Sequence, residues 1–347
     1  MPIDSSEWSS YGAKMDPALE ALLPHLPPGK SFADYNTATA LRSSIATQVS
    51  QMLAAGIIKP IDWTAIGVEK KDIQIPVRDG SDIRAVVYRP TTAGPSPSNP
   101  GPLLVYFHGG GWTFGWPEAW ENGFEVLTTQ LGITCVGVAY RLAPEHVFPT
   151  AAEDACDALQ WCVEHAESVG ADPNQGVVVA GTSAGACLAA VASHDAVGRG
   201  ETGVRGVVLM SAGLVHHGAL PREWRSHHKS WDEHKDAMIL DARGMDWFFD
   251  QYKPDPQSGY ASPLLWPGGH KGQPPTYLQV MGMDPLRDDS LIYESVLRED
   301  HGVSTKFDVY NGVPHGAPDF FPMLPIAGKA LDDMKAGVEW ILNQTSS

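Results

Sequence analysis

The chain is predicted to fold as an α/β protein built on a mostly parallel eight-stranded sheet, with helices on both faces and a helical lid. Three observations carry this expectation. Short, near-continuous apolar runs alternate with helical stretches, the pattern of strands buried on both faces. Glycine-rich or proline-marked turns follow several of these runs. Two long stretches without strand character, residues 1–70 and 215–260, interrupt the alternation.

The elements follow in order. Residues 1–70 carry helix-like pieces such as "TATALRSSIATQVSQMLAAG", which ends at Gly56 as helices commonly do. "KKDIQIPVRDGSDIRAVVYRP" supplies two strand runs around Asp79 and Gly80, a hairpin expected at one edge of the sheet. The Pro/Ser-rich stretch "TTAGPSPSNPGP" reads as an exposed loop. Then come strand 103–108, a glycine-rich turn, a helix near 118–131, strand 134–140 and a helix over 150–168. Strand 177–181 runs into a helix over 184–194, and another apolar strand covers 204–214. Residues 215–260 hold His216, His217, His227, His228 and His234 with Trp224, Trp231 and Trp247, and helical stretches near 222–235 and 241–252. Strand 275–282, helix 288–300, strand 305–312 and a final helix over 325–343 complete the pattern. The organisation expected is therefore an N-terminal lid segment (1–70), a first core part (71–214), a lid insertion (215–260) and a second core part (261–347).

Composition narrows the function. A net charge of −17 argues against nucleic acid or anionic lipid as the main partner, since both need a positive surface. No apolar run reaches the length of a membrane span. The first residues lack the basic start and apolar stretch of a secretory signal. Cys135, Cys156, Cys162 and Cys187 lie in core elements without a C-x-x-C pair, as buried thiols rather than a disulfide framework. A cytoplasmic setting is expected.

The stretch "GVVVAGTSAGAC" (176–187) is a strand, a tight turn and an Ala-rich helix, the context in which G-x-S-x-G becomes a nucleophile elbow. Gly181 and Gly185 are expected where neighbouring backbones approach too closely for a Cβ. A nucleophilic Ser183 needs a base, an orienting acid and donors for the oxyanion. The sequence offers each at the end of an expected strand, where a parallel sheet places its ligand crevice. "FHGGGW" (107–112) leaves backbone N–H groups unobstructed, so that Gly109, Gly110 and Ala184 can point at one oxygen, each worth about 3–4 kcal/mol when well aimed. The glycine segment 107–112 lacks a G-K-[ST] ending, so nucleotide binding there is poorly supported. Asp284 in "GMDPLRDD" is the expected acid, because Pro285 keeps it out of the helical region at the strand end. Asp288 and Asp289 compete for that role from the first turn of the next helix, where acids suit the dipole. His315 in "NGVPHGAPDFF" is the expected base, completing the order Ser…Asp…His. The histidines of 215–260 show no metal-ligand spacing and are read as polar residues of the lid. No metal or organic cofactor is expected. Trp112, Trp116 and Trp224 are candidates for an apolar or aromatic substrate pocket, with ordinary lid-to-core packing the competing reading.

Together "HGGGW", "YRLAPEHVFP" (140–149), "GTSAG", "DPLRDD" and "VPHG" resemble the hormone-sensitive lipase family of α/β-hydrolases from about Ile73 onward. The resemblance implies an α/β-hydrolase fold, a Ser183–Asp284–His315 triad and an oxyanion hole of Gly109, Gly110 and Ala184. It implies that "YRLAPEHVFP" braces the wall beside the elbow, and that the lid joins the N-terminal helices to the later insertion. It further implies short to medium acyl esters as small-molecule substrates, and a homodimer paired through the edge strand. Two departures stand out: Thr182 replaces the usual acidic residue of the elbow, and Ala317 replaces the usual Phe after the histidine. Two other readings share this scaffold. Some relatives use it for cyclisation, elimination or acyl transfer on specialised metabolites. The gibberellin receptors resemble it as binding proteins without the triad histidine, which His315 counts against here.

Overall fold

A computed structural model describes residues 3–26, 29–91 and 100–344. Most of the expected Pro/Ser-rich loop lies outside the described residues.

The sheet has eight strands: β1 Val68–Pro76, β2 Asp82–Pro90, β3 Leu103–Phe107, β4 Thr134–Val138, β5 Val177–Thr182, β6 Val204–Met210, β7 Thr276–Met281 and β8 Thr305–Tyr310. Their spatial order is β1-β2-β4-β3-β5-β6-β7-β8. Strand β2 runs antiparallel to both β1 and β4, and all other neighbours are parallel. The leading hairpin thus sits at one edge, turning at Gly80 (φ 85°).

The helices are α1 Pro17–Leu22, α2 Ala38–Ala54, α3 Glu121–Leu131, α4 Thr150–Glu164, α5 Ala184–Gly198, α6 Ser230–Glu233, α7 Ala242–Tyr252, α8 Arg287–Ser295, α9 Ala317–Phe320 and α10 Pro325–Leu342. Helices α3 and α10 cover one face of the sheet, and α4, α5 and α8 cover the other. Every residue of β3, β4, β5 and β7 is buried, which is why these strands read as near-continuous apolar runs rather than alternating ones. All four cysteines are buried free thiols, and burial pushes those of Cys156 and Cys162 up to about 12.

Several boundaries differ from the sequence expectation. Strand β6 stops at Met210 because Ser211 turns into the left-handed region (φ 49°). The stretch 222–235 holds only a single 3₁₀ turn, Arg222–Trp224, and the four-residue α6. Helix α8 starts one residue early and widens into a π turn over Val296–Asp300.

The N-terminal segment and the insertion meet each other. Phe32 packs on Phe248 at 4.9 Å, Ser31 Oγ donates to Asp241, and Arg243 pairs with Asp34. No helix among the described residues is long and apolar enough to cross a membrane.

Candidate active site

Ser183 lies between β5 and α5 with φ 56° and ψ −120°, a strained backbone for a residue with a Cβ. Its surroundings over-determine that strain. A Cβ at Gly185 would come within 2.0 Å of Phe107 O, and one at Gly181 within 2.1 Å of Gly185 O. Only glycine at both positions lets β3, β5 and α5 close on the turn. The Ser183 N–H donates to Met210 O at 2.8 Å, tying the turn to β6.

The sheet places its strand ends side by side, and this brings together three residues far apart in sequence. His315 Nε2 lies 2.8 Å from Ser183 Oγ, and His315 Nδ1 lies 2.7 Å from Asp284 Oδ2. The tautomer that satisfies both contacts carries its proton on Nδ1, donates it to the carboxylate and accepts from the serine hydroxyl. The other Asp284 oxygen accepts the Leu286 N–H at 2.9 Å, so the carboxylate is fixed at both ends. Behind the imidazole, Ser211 Oγ accepts the Gly316 N–H at 3.3 Å.

Gly109, Gly110 and Ala184 flank the serine. A Cβ on Gly109 would lie 3.4 Å from Ser183 Cβ, so this glycine packs directly on the elbow. Gly110 adopts φ 124°, and a Cβ there would sit 2.0 Å from Phe114 O. Among the described residues, none of these three N–H groups has a protein acceptor. Ala184 also opens α5, whose N-terminus adds a positive dipole end to the same spot. The glycine loop is held from behind: buried His108 stacks on Tyr140 at 4.3 Å, and Tyr140 OH donates to His108 O at 2.8 Å. Burial lowers His108 to about 4, so it stays neutral.

The segment 140–149 braces this wall. Arg141 pairs with buried Asp154 and with Asp79, and the Ala143 N–H donates to Trp112 O at 2.8 Å. Arg42 of α2 reaches across to Ala143 O, Thr113 O and Glu145. The Thr182 hydroxyl lies 3.0 Å from Tyr106 OH in a buried contact. Ala317 and Phe321 are buried, and Phe320 is 46% exposed.

The tryptophan candidates separate. Trp112 is buried and stacks on Tyr252 at 4.9 Å and on Phe249 at 6.1 Å, within the packing between glycine loop and insertion. Trp224 is partly buried against the main core, and Trp116 is 37% exposed. Among the described residues, none of the three makes a hydrogen bond or ring contact with Ser183 or His315.

Asp288 and Asp289 occupy the first turn of α8, but dipole compensation is a small part of what they do. Asp288 pairs with buried Arg287 and accepts the N–H groups of Lys229 and Ser230, both at 2.7 Å. Asp289 pairs with His228 at 2.6 Å and accepts from Leu214 N–H at 3.1 Å. Arg287 also reaches Glu233 and Gly282 O. Sequence reasoning missed this network, and its one local signal was three consecutive charges (Arg287, Asp288, Asp289) in an otherwise buried helix. Of the other histidines in the insertion, His216 stacks on Phe249 at 4.1 Å and His217 on Trp231 at 4.3 Å. Among the described residues, no group of three or more His, Cys, Asp or Glu is arranged to hold a metal ion.

The arrangement can pass a proton from serine to imidazole and offer N–H donors to a developing negative charge, the chemistry of acyl transfer. Comparison with known proteins points the same way. The family profile described as the α/β-hydrolase fold matches residues 104–319. An AB hydrolase superfamily protein of Schizosaccharomyces pombe is 34% identical over 95% of this chain and 94% of its own. A versiconal hemiacetal acetate esterase of Dothistroma septosporum is 32% identical over 70% of this chain and 75% of its own. The crystal structure of a vibralactone cyclase superposes with a TM-score of 0.86 at 30% identity, covering 96% of each chain. By fold and by sequence, the chain belongs to the α/β-hydrolase family, in its hormone-sensitive-lipase-like branch.

Proposed function

We propose that the protein is a serine carboxylesterase that hydrolyses short to medium acyl or aryl esters through an acyl-enzyme on Ser183. The observation that carries this reading is the unbroken hydrogen-bonded chain from Ser183 through His315 to Asp284, beside N–H groups without protein acceptors. His315 takes the serine proton as Oγ attacks the ester carbonyl carbon. Gly109, Gly110 and Ala184 receive the oxyanion, while Asp284 holds the tautomer and stabilises the imidazolium. The carbon–oxygen bond to the alcohol breaks and the alcohol leaves with the proton from His315. Water, deprotonated by the same histidine, then attacks the acyl-enzyme and releases the acid. No step calls for a metal or cofactor, and no nucleic acid is a partner. The esterase among the relatives supports hydrolysis.

In this reading residues 1–70 and 215–260 form a lid over a core made of 71–214 and 261–347, and Trp112 and Trp116 beside the oxyanion loop, with Trp224 of the lid, border the substrate pocket. A cytoplasmic setting and a homodimer paired along the edge strand β8, where Phe307 is 39% exposed, complete it. Sedimentation velocity tests the dimer.

The similarity to a vibralactone cyclase favours a second reading, in which the same serine and base act on a specialised metabolite by cyclisation or acyl transfer. The experiment that separates them is turnover of p-nitrophenyl esters from acetate to dodecanoate, with intact-mass analysis after a fluorophosphonate probe. Turnover with one adduct on Ser183 supports the esterase. Labelling without turnover moves the second reading ahead, and the absence of both labelling and turnover removes Ser183 as a nucleophile.

A further inference from the structure

The N-terminal segment crosses the two loops that carry Asp284 and His315, and it does so backbone against backbone. Gly312, three residues before His315, donates its N–H to Tyr11 O at 2.8 Å, and its carbonyl accepts the Asp16 N–H at 2.9 Å. Gly282, two residues before Asp284, lies under the same carbonyl: a Cβ there would be 2.2 Å from Tyr11 O. Gly12 presses back, since its own Cβ would be 2.5 Å from Gly282 O and 2.4 Å from His234 Nε2. Gly312 closes the stack with φ 69° and a Cβ position 2.2 Å from Lys14 O. The acid and base loops are also joined to each other, through Gly282 N–H to Tyr310 O at 2.8 Å and Met283 N–H to Val313 O at 2.9 Å.

Three stretches of main chain therefore form one tight layer beneath the acid and the base. Two anchors hold the outer stretch in place. Leu19 of α1 is buried against Met281, Tyr310 and Val313, and Asp16 caps α1 by accepting from Ala18 and Leu19 N–H. At the other end, Ser9 Oγ donates to Glu233, which pairs with Arg287, and Arg287 donates to Gly282 O at 3.2 Å.

We propose that residues 11–16 act as a positioning strap that sets the separation of Asp284 and His315, with Gly12 as its contact point on the acid loop. The inference rests on reading Ser183, His315 and Asp284 as the reacting and supporting groups. Contacts between main-chain atoms have no flexible side chain to absorb a displacement, so a shift of the strap reaches Gly282 directly. The Asp284–His315 and His315–Ser183 contacts are both single hydrogen bonds that weaken steeply with misalignment. A misplacement of about 1 Å in such a constellation costs on the order of a hundredfold in rate.

The test is Gly12→Ala in the full chain, read with p-nitrophenyl acetate and a fluorophosphonate probe. We expect kcat and the labelling rate of Ser183 to fall together by about tenfold or more, with KM within twofold of the parent. Val338→Ala, in the packing on the opposite face of the sheet, serves as the stability control and should lower Tm while leaving kcat unchanged. Asp16→Ala loosens the strap without adding an atom and should lower kcat about threefold, which keeps the test decisive if Gly12→Ala does not fold. Parent-like kcat in folded Gly12→Ala, or in Asp16→Ala if Gly12→Ala does not fold, overturns the strap. If the parent neither turns over esters nor labels, the functional reading itself has failed, a separate outcome.

Discussion

His228 Nε2 lies 2.6 Å from Asp289 Oδ1, with both side chains buried where the insertion meets the first turn of α8. Burial pulls His228 down, but the hydrogen bond and charge of Asp289, with Asp288 nearby, outweigh it and hold the imidazole above its ordinary value. Burial pushes the Asp289 carboxyl up, so the two tendencies compete for one proton. Backbone N–H groups of Leu214 and Val215 also point at Asp289 and favour the carboxylate, which leaves the proton on His228. The pair fastens the insertion four residues beyond Pro285, close to the loop that carries Asp284.

Removing one partner strands a buried charge. Asp289→Ala should destabilise the protein by about 3–5 kcal/mol in urea unfolding at pH 6.5. The cost of His228→Gln should depend on pH in a definite sense. A histidine raised in the folded state contributes fully below its unfolded value of 6.5 and loses that contribution as pH rises through the folded value. The gap between parent and variant should therefore be widest near pH 6 and narrow towards pH 9.

Asp284 and Asp288 are chemically alike and four residues apart, so the same substitution distinguishes their roles. Asp284→Asn should lower kcat by about 10⁴ with little change in fold, because the imidazole loses the acceptor of its Nδ1 proton. Asp288→Asn should leave kcat of the folded protein near the parent's while lowering the urea midpoint, since Asp288 binds Arg287 and the Lys229–Ser230 backbone instead. Steady-state kinetics with parallel unfolding curves check both, and the reverse pattern would reassign the acid.

Gly110 cannot accept a Cβ: its φ of 124° and the 2.0 Å approach to Phe114 O both forbid one. Gly110→Ala should tilt the N–H of the glycine loop and lower kcat by about 10²–10³, the cost of one lost oxyanion donor. KM should move less than kcat, because the donor acts on charge that develops during reaction.

Buried neutral histidines make the fold acid-sensitive. His194 is pushed down to about 2, and His270 to about 4, chiefly by burial, with their histidine neighbours adding to it. His194 Nε2 lies 3.0 Å from Tyr293 OH and 3.1 Å from His270 Nδ1, and Gln273 holds its other nitrogen. Below pH 6.5 the unfolded chain takes up protons that the folded one refuses, so stability falls as pH drops. Each such histidine contributes a slope of about 1.4 kcal/mol per pH unit until its folded value is reached. Unfolding midpoints between pH 7 and 4.5 should decline steeply for the parent and less steeply for His194→Gln.

The sequence by itself determined what depends on near neighbours along the chain. Near-continuous apolar runs marked β3, β4, β5 and β7 because strands buried on both faces need mostly apolar side chains on both. Gly181, Ser183 and Gly185 marked the turn because its sterics are local, and Pro285 marked Asp284 through its effect on the preceding residue. Only the tertiary structure decided matters that join distant segments. Asp288 and Asp289 read as dipole acids until Lys229, Ser230 and His228 were folded against them. Trp112 gave no sign in the sequence of the Tyr252 and Phe249 rings that stack on it. Gly12, Gly282 and Gly312 each look ordinary in sequence. What makes them matter is that three backbones cross at one point, and close approach between remote segments leaves no periodicity or motif to read.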